Sequence, residues 1–296
     1  MIAPRARLGT IYLSKSTCLY KNLALEEWLF RNHDLEKSEE SVLLWSNTPS
    51  VVIGRYQNPW LEANINFCET REINVVRRFS GGGAVFHDLG NLNISVLTNQ
   101  KRHNRIRNLK LVADQLNALL STSVELNSRD DLLLPGERKV SGTAARVARG
   151  RAYHHLTLLV DTDLTVLSRS LKSPLTSLIV TNATRSVRAK AVGQLNQDVP
   201  GITTKEVRDI VIAGFGKQNL ETQILEITED DVINEQKRPG ITQTYRQLKS
   251  DAWLIEKTPN FTLSLPEGNV LIEKGQLLSS ISPTLNVGTF PLNFTV

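Results

Sequence analysis

Arg77-Arg78-Phe79-Ser80-Gly81-Gly82-Gly83-Ala84-Val85-Phe86-His87-Asp88 is the stretch on which the reading of this chain turns. Three consecutive glycines present backbone without Cβ atoms, so a ligand can approach their amides closely. Two arginines just before them suit bidentate contact with a carboxylate or phosphate. From Gly83 onward the residues alternate as in a strand, which places Ala84, Phe86 and Asp88 on one face. The plainer alternative is a glycine turn beside two solvated arginines, and composition alone does not separate the two. The stretch has neither the Gly-Lys-Ser/Thr of a phosphate loop nor the GxGxxG spacing of a dinucleotide fold. A doubly wound nucleotide fold therefore loses its main sequence support.

Outward from it, short strands and helices mix without a regular βαβ rhythm. Leu8 to Leu13, Val42 to Trp45, Val51 to Ile53, Ile73 to Val76, Leu92 to Leu97 and Leu156 to Val160 read as strands. A helix is expected to open at Asn22 as N-cap, with Glu26 and Glu27 near its positive end. Ile106, Leu109, Val112, Leu116, Leu119 and Leu120 recur at helical spacing, and Lys205 to Phe215 reads as a further helix. The polar run from Glu229 to Thr244 marks a boundary, after which Phe261 to Leu265, Val270 to Glu273 and Leu277 to Ile281 read as strands. The expectation is α+β with a mixed sheet, divided into a large domain at 1–243 and a small C-terminal domain at 244–296.

The 296 residues carry 35 Lys and Arg against 30 Asp and Glu, a net charge of +5, with 40% apolar and 22% charged residues. That composition excludes a disordered or collagen-like chain, and the small basic excess is weak evidence for nucleic acid. No stretch approaches the roughly 20 apolar residues of a spanning helix. Two cysteines, Cys18 and Cys68, cannot build a disulfide scaffold, so a reducing compartment fits. Cys68 has no basic neighbour in sequence to activate it and reads as a structural thiol. The first 25 residues hold Arg5, Arg7, Lys15 and Lys21 and no acid, as in a mitochondrial leader or a short basic tail.

A second charged cluster comprises Arg129-Asp130-Asp131-Leu132 and Glu137-Arg138-Lys139-Val140-Ser141-Gly142-Thr143-Ala144. Lys139 among small residues could set a point cation beside a carbonyl or phosphate oxygen, and Asp131 could orient it; a charged loop is the alternative. His154 and His155 are adjacent, so on a strand they face opposite ways and do not share a metal ion.

Together with Val51-Val52-Ile53-Gly54-Arg55, Gln57-Asn58-Pro59-Trp60 and His154-His155-Leu156-Thr157, these blocks resemble the lipoate–protein ligase and lipoyltransferase family. Lys172-Ser173-Pro174 and Asn182-Ala183-Thr184 are more similar to its animal mitochondrial branch than to bacterial ligases. The resemblance implies the fold of class II aminoacyl-tRNA synthetases and biotin ligases. It implies transfer of a lipoyl group from lipoyl-AMP, or from a lipoylated carrier protein, to an acceptor lysine. Arg78, Ser80, Gly81, Gly82 and Gly83 would line the lipoyl tunnel and approach the acyl-phosphate. Phe86 would contact ligand, and Lys139 would meet the carbonyl and phosphate oxygens as the catalytic cation. Arg129, Asp131 and Thr157 match positions around the adenylate, and Val187 and Ala189 a segment whose backbone meets the adenine. The base that deprotonates the acceptor lysine is not identified; Asp131 and His87 are candidates by chemistry alone.

The implied partners are apo lipoyl domains of dehydrogenase E2 subunits and the glycine cleavage H protein, met in the mitochondrial matrix by a monomer, with no nucleic acid and no membrane. No metal and no tightly bound cofactor are expected. Magnesium and ATP belong to the alternative of a complete ligase, and a non-catalytic binding protein for lipoyl-AMP or lipoyl domains is a second alternative. Phe79 departs from the smaller or basic residue frequent in the family and is expected to narrow the tunnel entrance. Residues 244–296 match only the start of the family's accessory domain, and that favours transfer over activation of free lipoate.

Overall fold

The apolar spacing at 106–120 folds as the helix Arg105–Leu119, capped by the Asn104 side chain, which accepts from Arg107 N. Leu109, Val112 and Leu116 form its buried stripe, while Ile106 and Leu119 lie outside it at 53% and 59% exposure. The computed structural model describes residues 8–35, 40–217, 221–278 and 287–294. The basic tail at 1–7 and the end of the expected strand at 279–281 lie outside the described residues.

Two compact units interleave along the chain: Met1–Thr48, His87–Leu164 and Ala189–Thr244 form the first, and Pro49–Phe86, Thr165–Arg188 and Tyr245–Val296 the second. The first unit is built on a six-stranded sheet in the order Thr143–Ala148, Arg151–Leu159, Asn91–Asn99, Glu40–Trp45, Leu8–Ser14, Glu221–Ile227. The last three strands run parallel and the other pairings are antiparallel, so the sheet is mixed. The Arg105–Leu119 helix and the Thr204–Gly216 helix, the latter closed by a Thr203–Glu206 capping box, bury their apolar faces with this sheet. A small antiparallel sheet of Glu125–Leu126, Leu132–Leu134 and Arg138–Lys139 belongs to the same unit.

The first helix runs Leu19–Asn32 and starts at Cys18, not at Asn22. Asn22 is inside the helix because its side chain is used elsewhere. Its Nδ2 donates to Ser16 O and Asn47 Oδ1, and its Oδ1 accepts from Ser14 Oγ. Glu26 and Glu27 are buried in mid-helix, where Glu26 meets His155 Nδ1 at 3.0 Å and Glu27 pairs with Arg31 and Arg146. His154, on the opposite face of its strand, accepts from Asn108 Nδ2 at 3.3 Å.

The second unit holds a three-stranded sheet, Asn74–Arg77, Ser50–Ile53 and Val85–His87, and a five-stranded antiparallel one. The latter pairs Ile179–Thr181 with Phe261–Leu265 and continues through Gly268–Glu273, Gln276–Leu277 and Gly288–Thr289. Trp60, Phe261 and Phe290 pack as an aromatic cluster with ring centroids 5.2 to 5.8 Å apart. Arg77, fully buried, binds the carbonyl oxygens of Arg55, Gln57, Trp253 and Leu254 and the Thr258 hydroxyl. Trp253 Nε1 donates back to Arg77 O at 2.7 Å.

Burial, reinforced by His155, Arg105 and His103, pushes His154 down from 6.5 to about 3. The folded state keeps the ring neutral while the unfolded chain takes up a proton near 6.5, so unfolding gains a proton across that window. The contribution is complete above the unfolded value and lost as pH falls towards the folded one. Thermal melts of wild type and His154→Gln across that range are expected to show a shallower acid loss in the variant; parallel curves would contradict the assignment.

Candidate active site

The Arg77-Arg78 pair ends the strand Asn74–Arg77, and the two side chains leave on opposite sides. Arg78, 2% exposed, turns its guanidinium onto the glycine loop. Nε donates to Ser80 Oγ at 2.9 Å, Nη1 to Val52 O at 3.1 Å, and Nη2 to Gly81 O at 2.5 Å and Gly83 O at 2.8 Å. Each carbonyl drawn towards Arg78 turns the N–H of the next residue the other way, because the two are antiparallel in a peptide plane. The N–H of Ala84 thereby reaches Ser186 Oγ at 2.7 Å. Among the described residues the amides of Gly81, Gly82 and Gly83 have no hydrogen-bond partner in the protein. Successive unpartnered amides are able to form an anion-binding concavity, and here the Arg78 guanidinium lies against the carbonyls of Gly81 and Gly83.

The glycines are glycines for different reasons. Gly82 has φ +85°, a conformation L side chains rarely adopt. A Cβ on Gly83 would lie 3.0 Å from Ser186 Oγ, and one on Gly54 would collide with the carbonyl oxygen of Gly82. A Cβ on Gly81 would meet only Tyr56 Cδ2, at an ordinary 3.9 Å, so protein packing does not demand glycine there.

Phe86 is 2% exposed and packs with Val51, Ile53, Ile65 and Phe67, a core position in this structure. Phe79 is also buried, its ring 4.7 Å from that of Trp253, so its size is used in packing. Val187 is 65% exposed, on a stretch without helix or strand from Asn182 to Ala189. Ala189 opens the last segment of the first unit and is half-buried.

The first unit assembles the lysine group. Lys139 Nζ lies 2.6 Å from Asp131 Oδ1, both side chains largely buried. The lysine backbone is held on two sides: it pairs across from Leu133, donates to Ala191 O at 3.0 Å and accepts from Gly193 N at 2.9 Å. Asp131 is presented by an Asn127 turn, whose Oδ1 accepts from Arg129 N at 2.8 Å and Asp131 N at 3.0 Å. Thr157 Oγ1 accepts from Gly142 N, and Ser141 Oγ from Leu132 N, each at 2.9 Å, so both hydroxyls fix the turn that follows Lys139. Arg129 is exposed, and its guanidinium makes no hydrogen bond or ion pair among the described residues.

His87 has a determinate tautomer. Asn22 Nδ2 faces the carbonyl of Ser16, which fixes the Asn22 amide; Asn47 must then offer Oδ1 to Asn22 and Nδ2 to His87 Nδ1, 2.9 Å away. A neutral His87 ring that accepts from Asn47 at Nδ1 carries its proton on Nε2. Asp131 Oδ1 is already engaged by Lys139. Burial pushes the Cys68 thiol up to about 11, opposite to a nucleophile's need. No group of three or more His, Cys, Asp or Glu is arranged to hold a metal ion among the described residues. Sequence reading missed Asn127, which its Asx-turn pattern signals, and gave Ser186 no role of its own within the 186–189 segment.

The glycine loop of the second unit offers unpartnered amides beside a buried cation, and the Lys139–Asp131 pair of the first unit offers a held cation. Residues 19–216 match the model of the lipoyl protein ligase A/B catalytic domain. The chain is 40% identical over 273 residues to the mitochondrial lipoyl amidotransferase LIPT1 of Homo sapiens, across 91% of this chain and 71% of that protein. It is 37% identical to lipoate-protein ligase A of Bdellovibrio bacteriovorus, across 87% and 75%. Among solved structures, P. falciparum LipL1 in complex with lipoate superposes with a TM-score of 0.72 at 25% identity, covering 92% of this chain and 82% of that one. Lipoate-protein ligase A bound with ATP does so at 0.66 and 26%, covering 85% and 98%. The chain belongs to the lipoyl protein ligase A/B family, and it is an enzyme of lipoyl transfer with that family's mixed α+β fold.

Gly82→Ala is expected to lower stability by about 1–2 kcal/mol through its positive φ. Gly81→Ala should stay within ~0.5 kcal/mol of wild type. Denaturant melts decide it, and equal losses at both positions would remove the distinction.

Proposed function

We propose that this enzyme moves the lipoyl group from lipoyl-AMP, or from a lipoylated carrier protein, to the acceptor lysine of lipoyl domains of 2-oxoacid dehydrogenase E2 subunits or of glycine cleavage H protein. The observation that carries the reading is the glycine loop, with three unpartnered amides backed by the buried Arg78 guanidinium. Such a loop suits the phosphate of an acyl-adenylate better than a neutral substrate. The lipoyl amidotransferase relative supports transfer. Because the human and mouse relatives are named mitochondrial, the matrix is the proposed compartment.

With lipoyl-AMP as donor, the neutral acceptor amine forms a C–N bond with the lipoyl carbonyl, the bond from that carbon to the phosphate oxygen breaks, AMP leaves with the electron pair, and the amine's proton passes to solvent. With a lipoylated carrier, the carbonyl–nitrogen bond to the carrier lysine breaks instead and the carrier amine leaves with that proton. Lys139 stabilises the negative charge that develops on the carbonyl and phosphate oxygens, and Asp131 holds the ammonium in place. Arg129 and Thr157 are assigned to the surroundings of the adenylate, Val187 and Ala189 to the adenine, and Ser80 and Phe86 to the lipoyl side. Segment 244–296 is assigned as an accessory part of a monomer. A complete ligase, forming its own adenylate from lipoate, ATP and magnesium, is the second reading, favoured by the likeness to the ATP-bound ligase.

An apo lipoyl domain is offered lipoyl-AMP, a lipoylated carrier protein, or lipoate with ATP and magnesium, and its mass is followed. Modification from either of the first two donors but not the third is the expected result; modification from the third makes the enzyme a ligase. Lys139→Ala is expected to cut the transfer rate by about 10²–10³-fold, and an undiminished rate would remove its role. Gly81→Ala is expected to raise the KM for lipoyl-AMP with little change in melting temperature.

A further inference from the structure

Glu62 is a carboxylate 1% exposed at the end of the short helix Pro59–Glu62, and the family motifs quoted above assign it nothing. A buried carboxylate is costly unless its oxygens are matched by donors. Its side-chain partners come from one four-residue segment. Oε1 accepts from Arg185 Nε at 3.1 Å and Ser186 N at 3.2 Å, and Oε2 accepts from Arg188 Nη2 at 3.1 Å. Arg188 Nη2 also meets the Glu62 and Leu171 carbonyls. Apart from these bonds and those of the Ser186 hydroxyl, no other hydrogen bond to residues 185–188 is seen among the described residues. The segment has no helix or strand, and Arg185, Val187 and Arg188 are exposed.

Within this segment Ser186 is tied to the glycine loop. Its Oγ accepts from Ala84 N at 2.7 Å and from Gln57 Nε2 at 3.0 Å, while Gln57 Oε1 accepts from Gly54 N at 2.8 Å. Gln57 and Glu62 flank the start and end of one short helical turn, so both supports of the segment come from the same piece of rigid backbone.

The geometry points to Glu62 as a positioning residue for nucleotide recognition: it fixes residues 185–188 so that this exposed segment is pre-ordered for the adenylate. The inference rests on the lipoyl-AMP reading above. Glu62 touches no substrate; it acts by holding a segment that would otherwise have to be ordered when the ligand binds.

Trypsin cleavage after Arg185 and Arg188 reports the hold on the segment without reference to function, and steady-state kinetics report its use. Glu62→Ala is expected to speed both cleavages about tenfold and to raise the KM for lipoyl-AMP about tenfold, the effect of losing hydrogen bonds to a charged group, with kcat changed less than about threefold. Glu62→Gln keeps an acceptor for Ser186 N and an oxygen for one arginine, and should restore most of both. Melting curves establish that each variant is folded. Unchanged cleavage in folded Glu62→Ala overturns the proposal, and so does faster cleavage with an unchanged KM. A wild-type enzyme that does not bind lipoyl-AMP would refute the donor reading instead, and the cleavage rates would still show whether Glu62 holds the segment.

Discussion

The second unit is organised around a cation that has no counter-ion among the described residues. Arg77 is buried, forms no ion pair among the described residues, and places its guanidinium among backbone carbonyls from Arg55, Gln57, Trp253 and Leu254. Burial lowers it to about 10, so it remains charged at neutral pH. A guanidinium can do this because its N–H groups fan out in a plane and each finds an oxygen. A lysine in its place would offer three donors from one point and leave carbonyls unmatched. Since the acceptors come from segments about 200 residues apart in sequence, this one side chain joins the turn after Ile53 to the helix Asp251–Leu254.

The same constraint explains what its neighbour does. With Arg77 committed to the C-terminal segment, strand alternation sends Arg78 to the glycine loop, and its donors also go to carbonyl oxygens. A pair of arginines before a glycine run reads most simply as an anion clamp. Here both guanidinia are spent on backbone oxygens, those of Arg77 on the turn after Ile53 and the C-terminal segment and those of Arg78 on the glycine loop. Preorganised amides need no rearrangement when negative charge develops, whereas a flexible arginine at the surface would have to be ordered first.

Much of this was legible in the sequence where the signal is local. The strands at 261–265 and 42–45, the helix at 205–215 and the opposite-facing His154 and His155 follow from alternation and spacing, and the glycine and lysine blocks were recognisable as family motifs. What escaped was decided by distant partners. Asn22 has the chemistry of a cap, yet Ser14, Ser16 and Asn47 occupy its amide, so the helix begins at Cys18. The reading of 1–243 and 244–296 as successive domains is linear, whereas the compact units interleave, because Ile179–Thr181 pairs with Phe261–Leu265 and Trp60 packs against Phe290. Glu62 gave no sign at all, since its partners lie more than 120 residues away.

Segments without helix or strand, whose side chains are largely exposed, are held less by apolar packing than by hydrogen bonds. In the second unit the glycine loop and the 185–188 segment are fastened from behind by charged side chains that are themselves buried, Arg78 for the first and Glu62 for the second. In the first unit the turn after Lys139 is fastened by the hydroxyls of Thr157 and Ser141. Each such support carries a desolvation cost that only complete hydrogen bonding offsets, so removing a partner leaves a buried charge or an unmatched amide rather than a harmless gap. That cost makes the loop geometry specific: a displaced loop would strand the charge that holds it. The held glycine loop and the held lysine backbone therefore follow from one rule, that buried polar groups are matched by hydrogen bonds.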